Sequence, residues 1–189
     1  MKKISMLIAV FLLFGSAFLP AQSTDNPALK PIINNFGART YATGQLTKAE
    51  LDQIVQAGVR APSAANRQPW HFTVVQNQAL AKQLVPQATD GNVIIVVSGT
   101  GDSKTNGAVI LDCALAAQSM YLAAQALGLG SRIYTGPIDT INSRFKGELG
   151  LPDGHSAVAV VRIGRLPAGV DAVSSASPRN NTEQTVTYK

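Results

Sequence analysis

The sequence predicts a three-layer domain of mixed α and β structure, with helices on both sides of a central sheet. Three observations carry this. A capped amphipathic segment precedes residue 60; two continuous apolar runs, 93–97 and 157–163, have the length and composition of strands buried on both faces; and an alanine-rich segment of about twenty residues lies between those runs. The pattern allows an α/β or an α+β ordering and does not fix strand order.

At the N-terminus, MKKISMLIAVFLLFGSAFLPAQS places two lysines ahead of an apolar run from Ile4 to Phe14, followed by small or turn-forming residues. This is the pattern of a secretory signal peptide. Residues 1–21 are therefore expected to be removed, with cleavage between 17 and 22, and the mature chain to be exported, periplasmic or secreted. Gly15 and Ser16 interrupt the run, which is short for a bilayer span, so no stable membrane span is expected after cleavage. Residues 22–189 then form one domain. Its first residues, from Gln22 to Asn35, lack periodicity and read as an extended arm, and the chain after Pro167 reads as a polar tail.

Thr47-Lys-Ala-Glu50 has the spacing of a capping box, after which Leu51, Ile54, Val55 and Val59 recur on one helical face. Pro62 disfavours helical backbone at Ala61 and ends this helix. The next stretch, RAPSAANRQPWHF (60–72), combines prolines, small residues and amides, which suit a rigid backbone edge presented to a flat polar ligand. His71–Gln76 and Val93–Val97 read as strands sharing one sheet. Gly107–Leu127 is apolar on nearly every side, with Asp112, Gln118 and Gln125 as polar interruptions; such a helix must be buried all round, within the domain or against a second subunit. Gly128 fits a helix C-cap and Gly130 a chain turn. A strand at Ser131–Thr135, a helix from about Asp139 to Glu148, and the apolar strand Ala157–Ile163 complete the domain.

Composition narrows the function. The 46% apolar and 14% charged content excludes a disordered chain. The formal charge of +5 falls to +3 without Lys2 and Lys3, and no basic run interleaves with aromatics, which are only 6% of residues; nucleic acid is not an expected partner. A mildly cationic surface still suits an anionic ligand. Cys113 is the sole cysteine, so no intrachain disulfide can form, and it reads as a core residue.

His71, His155 and Cys113 have no metal-ligand spacing. There is no GxSxG elbow, and Ser63-Ala-Ala-Asn66 lacks the lysine of an SxxK nucleophile. Gly128-Leu-Gly130 follows a helix rather than a strand and has Ile at 133, which excludes a dinucleotide fingerprint, and Asp102-Ser-Lys-Thr105 lacks the leading glycines of a P-loop.

The stretch RAPSAANRQPWHF resembles the PSSxNxQPWxF segment of the nitroreductase family of flavoproteins, and it has company. Asp112 and AAQSMYLAAQALGLGS (116–131) resemble that family's long central helix and GLGS turn, Tyr134-Thr-Gly136 its flavin-facing turn, VVRIGRLP (160–167) its last core strand, and Pro178-Arg179 its C-terminal basic phosphate contact. The resemblance spans about residues 32–189. It implies an α+β nitroreductase-like fold, a central mixed sheet flanked by helices in an intertwined homodimer, with FMN at the interface. By the same resemblance, Pro62, Ser63, Ala64 and Asn66 line FMN, Gln68 supports the loop, Tyr134, Thr135 and Gly136 bring backbone N–H groups toward the flavin N5, and Arg39 and Arg179 meet the phosphate. No protein acid, base or metal is implied. Where the family carries a basic-basic-Ser-x-basic stretch, this chain has Asn35-Phe-Gly-Ala-Arg39, retaining Arg39 alone.

The function implied is an FMN-dependent oxidoreductase that transfers two electrons by ping-pong chemistry from NAD(P)H or another donor to a small acceptor such as a nitroaromatic or quinone. The alternative is a non-catalytic exported protein that binds a flavin or another flat ligand on the same fold.

Overall fold

The computed structural model describes residues 26–102, 106–173 and 177–189; the expected leader at 1–21 lies outside them. Four strands form one sheet in the order β1-β2-β4-β3: β1 (Trp70–Val75), β2 (Val93–Thr100), β3 (Gly130–Tyr134) and β4 (His155–Gly164). All three pairings are antiparallel. The α+β expectation holds, while the expected mixed sheet is corrected to an antiparallel one within the chain. The reason is directional: β2 and β3, joined through the Gly107–Ala126 helix, run the same way but β4 enters between them reversed, so every adjacent pair is antiparallel.

Hydrophobicity explains the strand order. Val93 through Val97 in β2, and Val160, Val161 and Ile163 in β4, are at most 1% exposed. Full burial of such a side chain contributes about 1.5–3 kcal/mol, so these two strands take the centre and leave β1 and β3 at the edges. Alternate residues then face opposite layers. Val93, Ile95 and Val97 pack with Val161 and Ile163 beneath α2 (Lys48–Val59) and α4 (Gly107–Ala126), whereas Ile94, Val96 and Val160 pack with Ala81, Leu84, Ile141 and Leu149 on the other face.

Helix α2 carries both halves of its capping box: the Thr47 hydroxyl accepts from Glu50 N–H and the Glu50 carboxylate accepts from Thr47 N–H. Leu51 and Ile54 are buried, but Val59, placed on the buried face by periodicity, is 40% exposed at the helix end. Helix α4 ends in a Schellman arrangement, with Leu129 N–H donating to Ala124 O and Gly128 N–H to Gln125 O, Gly128 supplying the left-handed φ of 74°. Gly130 does not turn the chain as expected; it opens β3, where a Cβ would stand 2.6 Å from Leu166 and 3.1 Å from Ala38.

Three further differences have local causes. The arm contains a one-turn helix, α1 (Lys30–Ile33), with Pro31 buried. An element absent from the sequence reading, α3 (Gln78–Leu84), is capped by the Asn77 side chain and is only two turns long, too short for a clear period. The helix expected over 139–148 is present from Ile138 to Phe145, as α5 (Ile138–Thr140) continued by a π-helical segment, Ile141–Phe145, and ends short of Glu148. There the Asn142 side-chain amide makes both bonds to the backbone of Ala157 in β4 and ties this segment to the sheet. The tail ends in α6 (Thr182–Thr185).

Candidate functional site

Each of the three polar residues that interrupt α4 has a distinct task. Asp112, 2% exposed, accepts the Ala64 N–H at 3.0 Å through Oδ1 and so ties the 62–68 loop to the helix. Gln125, also 2% exposed, holds the arm: its Oε1 accepts from Phe36 N–H, and its Nε2 donates to Phe36 O and to the Ser131 hydroxyl. Gln118 is exposed and lines a cleft with Tyr121, whose hydroxyl donates to Asn35 Oδ1. One apolar helix thus supports loop, arm and cleft together.

The 62–68 loop is exposed apart from half-buried Ser63. It is also strained. Ala65, Asn66 and Gln68 have φ of 51°, 54° and 48°, a left-handed region that non-glycine residues seldom enter and that costs on the order of 1–3 kcal/mol where it is imposed. The loop offsets this with its own bonds: Gln68 N–H donates to Ser63 Oγ, Gln68 Nε2 to Asn66 Oδ1, and Asn66 N–H to Ser63 O. The second oxygen of Asp112 is buried beneath it without a hydrogen-bond partner.

A cleft of about 570 Å³ opens where arm, α4, β3 and tail meet, and three arginines, Arg39, Arg132 and Arg179, line it. None of its lining residues is acidic. The tail is docked on the arm by Ser177 N–H to Asn35 O. The ion pairs Lys48–Asp52, Lys82–Asp90 and Arg165–Glu50 use no cleft arginine.

Behind β3 stands Arg162, 1% exposed, whose Nε donates to Asn92 Oδ1 at 2.7 Å and whose guanidinium lies 3.9 Å from the centroid of the Tyr41 ring. Burial raises the Tyr41 phenol above its usual value, with the Arg162 charge pulling the other way. Elsewhere, burial and then the neighbouring Asp112 charge push the Cys113 thiol up to about 12, consistent with a packed thiol rather than a nucleophile. His155, whose Nδ1 is 3.4 Å from Ser98 Oγ, is held below its ordinary value by burial and by His71. Among the described residues no group of three or more His, Cys, Asp or Glu could hold a metal ion.

The residues singled out in the sequence therefore fall in three places on one chain. Pro62, Ser63, Ala64, Asn66 and Gln68 share the strained loop; Arg39 and Arg179 share the arginine cleft; Tyr134 and Gly136 line a separate cavity of about 400 Å³ with residues 83–87, and Thr135 lies exposed between them. A Cβ built on Gly136 meets nothing within 4 Å, so open space lies over that backbone. Sequence reasoning missed Arg132 and a role for Asp112. The Asp had a signal, being an acid inside an apolar helix; Arg132 had none, because only strand pairing brings it to the arm.

Comparison with known proteins agrees with this geometry. The chain matches the Nitroreductase family profile over residues 38–94 and 85–165. The chain belongs to the nitroreductase family. A relative from Archaeoglobus fulgidus, provisionally named an NADH dehydrogenase/NAD(P)H nitroreductase, is 30% identical over 146 residues, covering 72% of this chain and 83% of its own. Among solved structures, one of the same provisional name from Parabacteroides distasonis has a TM-score of 0.72 at 26% identity, over 87% of this chain and 98% of that one. A nitroreductase with bound FMN from Bacteroides fragilis has a TM-score of 0.71 at 22% identity, over 87% and 99% of the two chains, a likeness of fold. The strained loop, the arginine cleft and the open backbone at Gly136 thus lie on a chain of the nitroreductase family.

Proposed function

We propose that this nitroreductase is an FMN-dependent oxidoreductase that accepts two electrons from NAD(P)H or another donor and passes them, in ping-pong order, to a small acceptor such as a nitroaromatic or quinone. The observation that carries the reading is the meeting of Arg39 and Arg179, from opposite ends of the chain, in one cleft without an acidic neighbour. Such a cleft suits a phosphate dianion, because charge-assisted bonds to guanidinium are about twice as strong as neutral ones.

Bound FMN would supply the two-electron chemistry. The chain's own residues bind and orient it. The 62–68 loop offers a rigid exposed edge locked from below by Asp112, the arginines fix the phosphate end, and the uncovered backbone at Gly136 leaves room for close approach of a ring. No side chain is assigned as acid or base. The three regions are brought into one site by a second copy of the chain, and export of the mature protein belongs to the same proposal, on the strength of the leader pattern.

The alternative, a binding protein without turnover, is favoured by Asn35 and Phe36 standing where cations, and Gly37 where a hydroxyl, are usual by the resemblance. Spectra of the purified protein before and after FMN addition test the cofactor: a perturbed flavin band is expected. Reduction by NADH or dithionite, followed by reoxidation with a quinone, separates the enzyme from the binding protein, since bleaching without acceptor turnover would leave only the latter. Cell fractionation with N-terminal sequencing tests export, and a cytoplasmic chain beginning at Met1 would refute it.

A further inference from the structure

We propose that Arg132 is the principal phosphate-binding residue of this chain, a cation supplied by the edge strand β3 where the N-terminal arm lacks one, and that it makes the cleft selective for a phosphorylated flavin. The proposal rests on the cofactor reading above and concerns a residue that reading did not require.

Position comes first. A Cβ built on Gly37 would stand 3.8 Å from Arg132 Cγ, so the arginine stem passes beside the arm at a point where the arm has no side chain, in the very segment, Asn35-Phe-Gly37, that carries no charge. Arg132 lines the same cleft as Arg39 and Arg179. A cation has been moved from the arm to the sheet without leaving the site.

Electrostatic tension is the second argument. In the β3–β4 register Arg132 stands opposite Arg162, and like charges directly opposite on antiparallel strands destabilise the pairing. Arg162 is accommodated by Asn92, the Tyr41 ring and the Tyr134 hydroxyl, 3.5 Å from its Nη1. The ion pairs Lys48–Asp52, Lys82–Asp90 and Arg165–Glu50 involve neither arginine. An anion in the cleft would relieve this repulsion, and a dianion would do so most.

Rigidity distinguishes Arg132 from its two companions. Arg39 and Arg179 are exposed on arm and tail, and Arg179 Nη1 is turned back onto Ser177 O and Pro178 O. Arg132 is half-buried on a strand, with its guanidinium 5.4 Å from the centroid of the Tyr134 ring. A fork already held in place loses less freedom on gripping two phosphate oxygens.

The test titrates FMN and riboflavin into wild type, Arg132→Ala, Arg132→Gln and Arg132→Lys at fixed low salt, following flavin fluorescence and each variant's melting temperature. Wild type should prefer FMN to riboflavin more than tenfold. Arg132→Ala should lose ten- to a hundredfold in FMN affinity with riboflavin affinity unchanged, and Arg132→Lys should recover part of it, as ammonium lacks the bidentate geometry. Should the alanine variant not fold, Arg132→Gln, which keeps most of the stem, must show the same FMN-selective loss. Unaltered FMN affinity, or FMN and riboflavin affinities falling together, would overturn the assignment while leaving the cofactor reading intact. Wild type binding neither flavin would overturn the cofactor reading and this assignment with it.

Discussion

Asn66 occupies left-handed backbone with a φ of 54°, a region that asparagine tolerates better than most residues, and its exposed amide is braced by Gln68. Function and conformation are therefore entangled at this position, and a bulky substitution would confuse them. Asn66→Gly separates the two, because glycine keeps the conformation and removes the amide. Affinity for FMN is expected to fall about five- to tenfold, the equivalent of one hydrogen bond, with the melting temperature unchanged; isothermal titration beside a thermal melt reads both. By the resemblance Arg39 and Arg179 meet the phosphate, and Arg132 lines the same cleft. Arg179→Ala is therefore expected to weaken FMN by less than Arg132→Ala, on the order of tenfold or under, since the tail must be immobilised to contribute. Parallel FMN titrations of the two variants give the ranking directly.

At the scale of elements, α2 is fixed to the end of β4 by a two-pronged pair. Arg165 Nη1 and Nη2 lie 2.6 and 2.8 Å from Glu50 Oε1 and Oε2, and Nη2 also donates to Gln45 O. The Arg165 guanidinium, opposed by some burial and assisted by Thr47, lowers the Glu50 carboxyl from its usual 4.5 to about 2. A depressed folded value means that the unfolded chain binds the extra proton. The stabilisation is thus present above about pH 4.5 and is lost as pH falls toward 2. With the Glu50 side chain 20% exposed, solvent screening reduces the effect to about 1–2 kcal/mol. Urea midpoints at pH 5.5 and 2.5 are expected to fall more for wild type than for Glu50→Gln, which should already be weaker at the higher pH and converge with wild type at the lower one. Helix α4 shows the complementary case: its buried polar residues act through hydrogen bonds to arm and loop rather than through charge pairs, so its supporting role should vary little with salt.

For the whole molecule, the decisive feature is the outer face of α4. Within one chain the helix is not buried all round, as its composition had implied. Val109, Cys113, Ala116 and Met120 face the sheet, while Ala108, Leu111, Ala114, Leu115 and Gln118 are exposed, Leu111 at 60%. That spacing is one helical stripe, and Leu29, Ile32 and Ile33 add further exposed apolar surface from the arm. A second copy covering this stripe would satisfy the composition and would bring one chain's loop toward the other's cleft. Sedimentation at micromolar concentration is expected to give a dimer for wild type. Leu111→Lys, which places a charge in the covered face, should shift it to monomer and lower FMN affinity at the same time; a wild-type monomer that binds FMN normally would remove the interface from the site.

Local sequence was sufficient wherever local forces decide structure. The Thr47–Glu50 capping box, the end of α2 before Pro62, the apolar strands β2 and β4 and the Gly128 C-cap each depend on residues within a few positions of one another, and each stands where the pattern put it. Family motifs extended that reading to the 62–68 loop and to Arg39 and Arg179. Pairing and packing lay beyond it. The antiparallel order of the sheet, the clamp of Asn142 on Ala157, the open face of α4, and the approach of Arg132 to Gly37 depend on packing that no period or motif encodes. Arg132 is the plainest instance: on its own strand it is an ordinary edge residue, and it becomes part of the arginine-lined cleft only because β3 pairs with β4 while the arm and tail fold back across that edge.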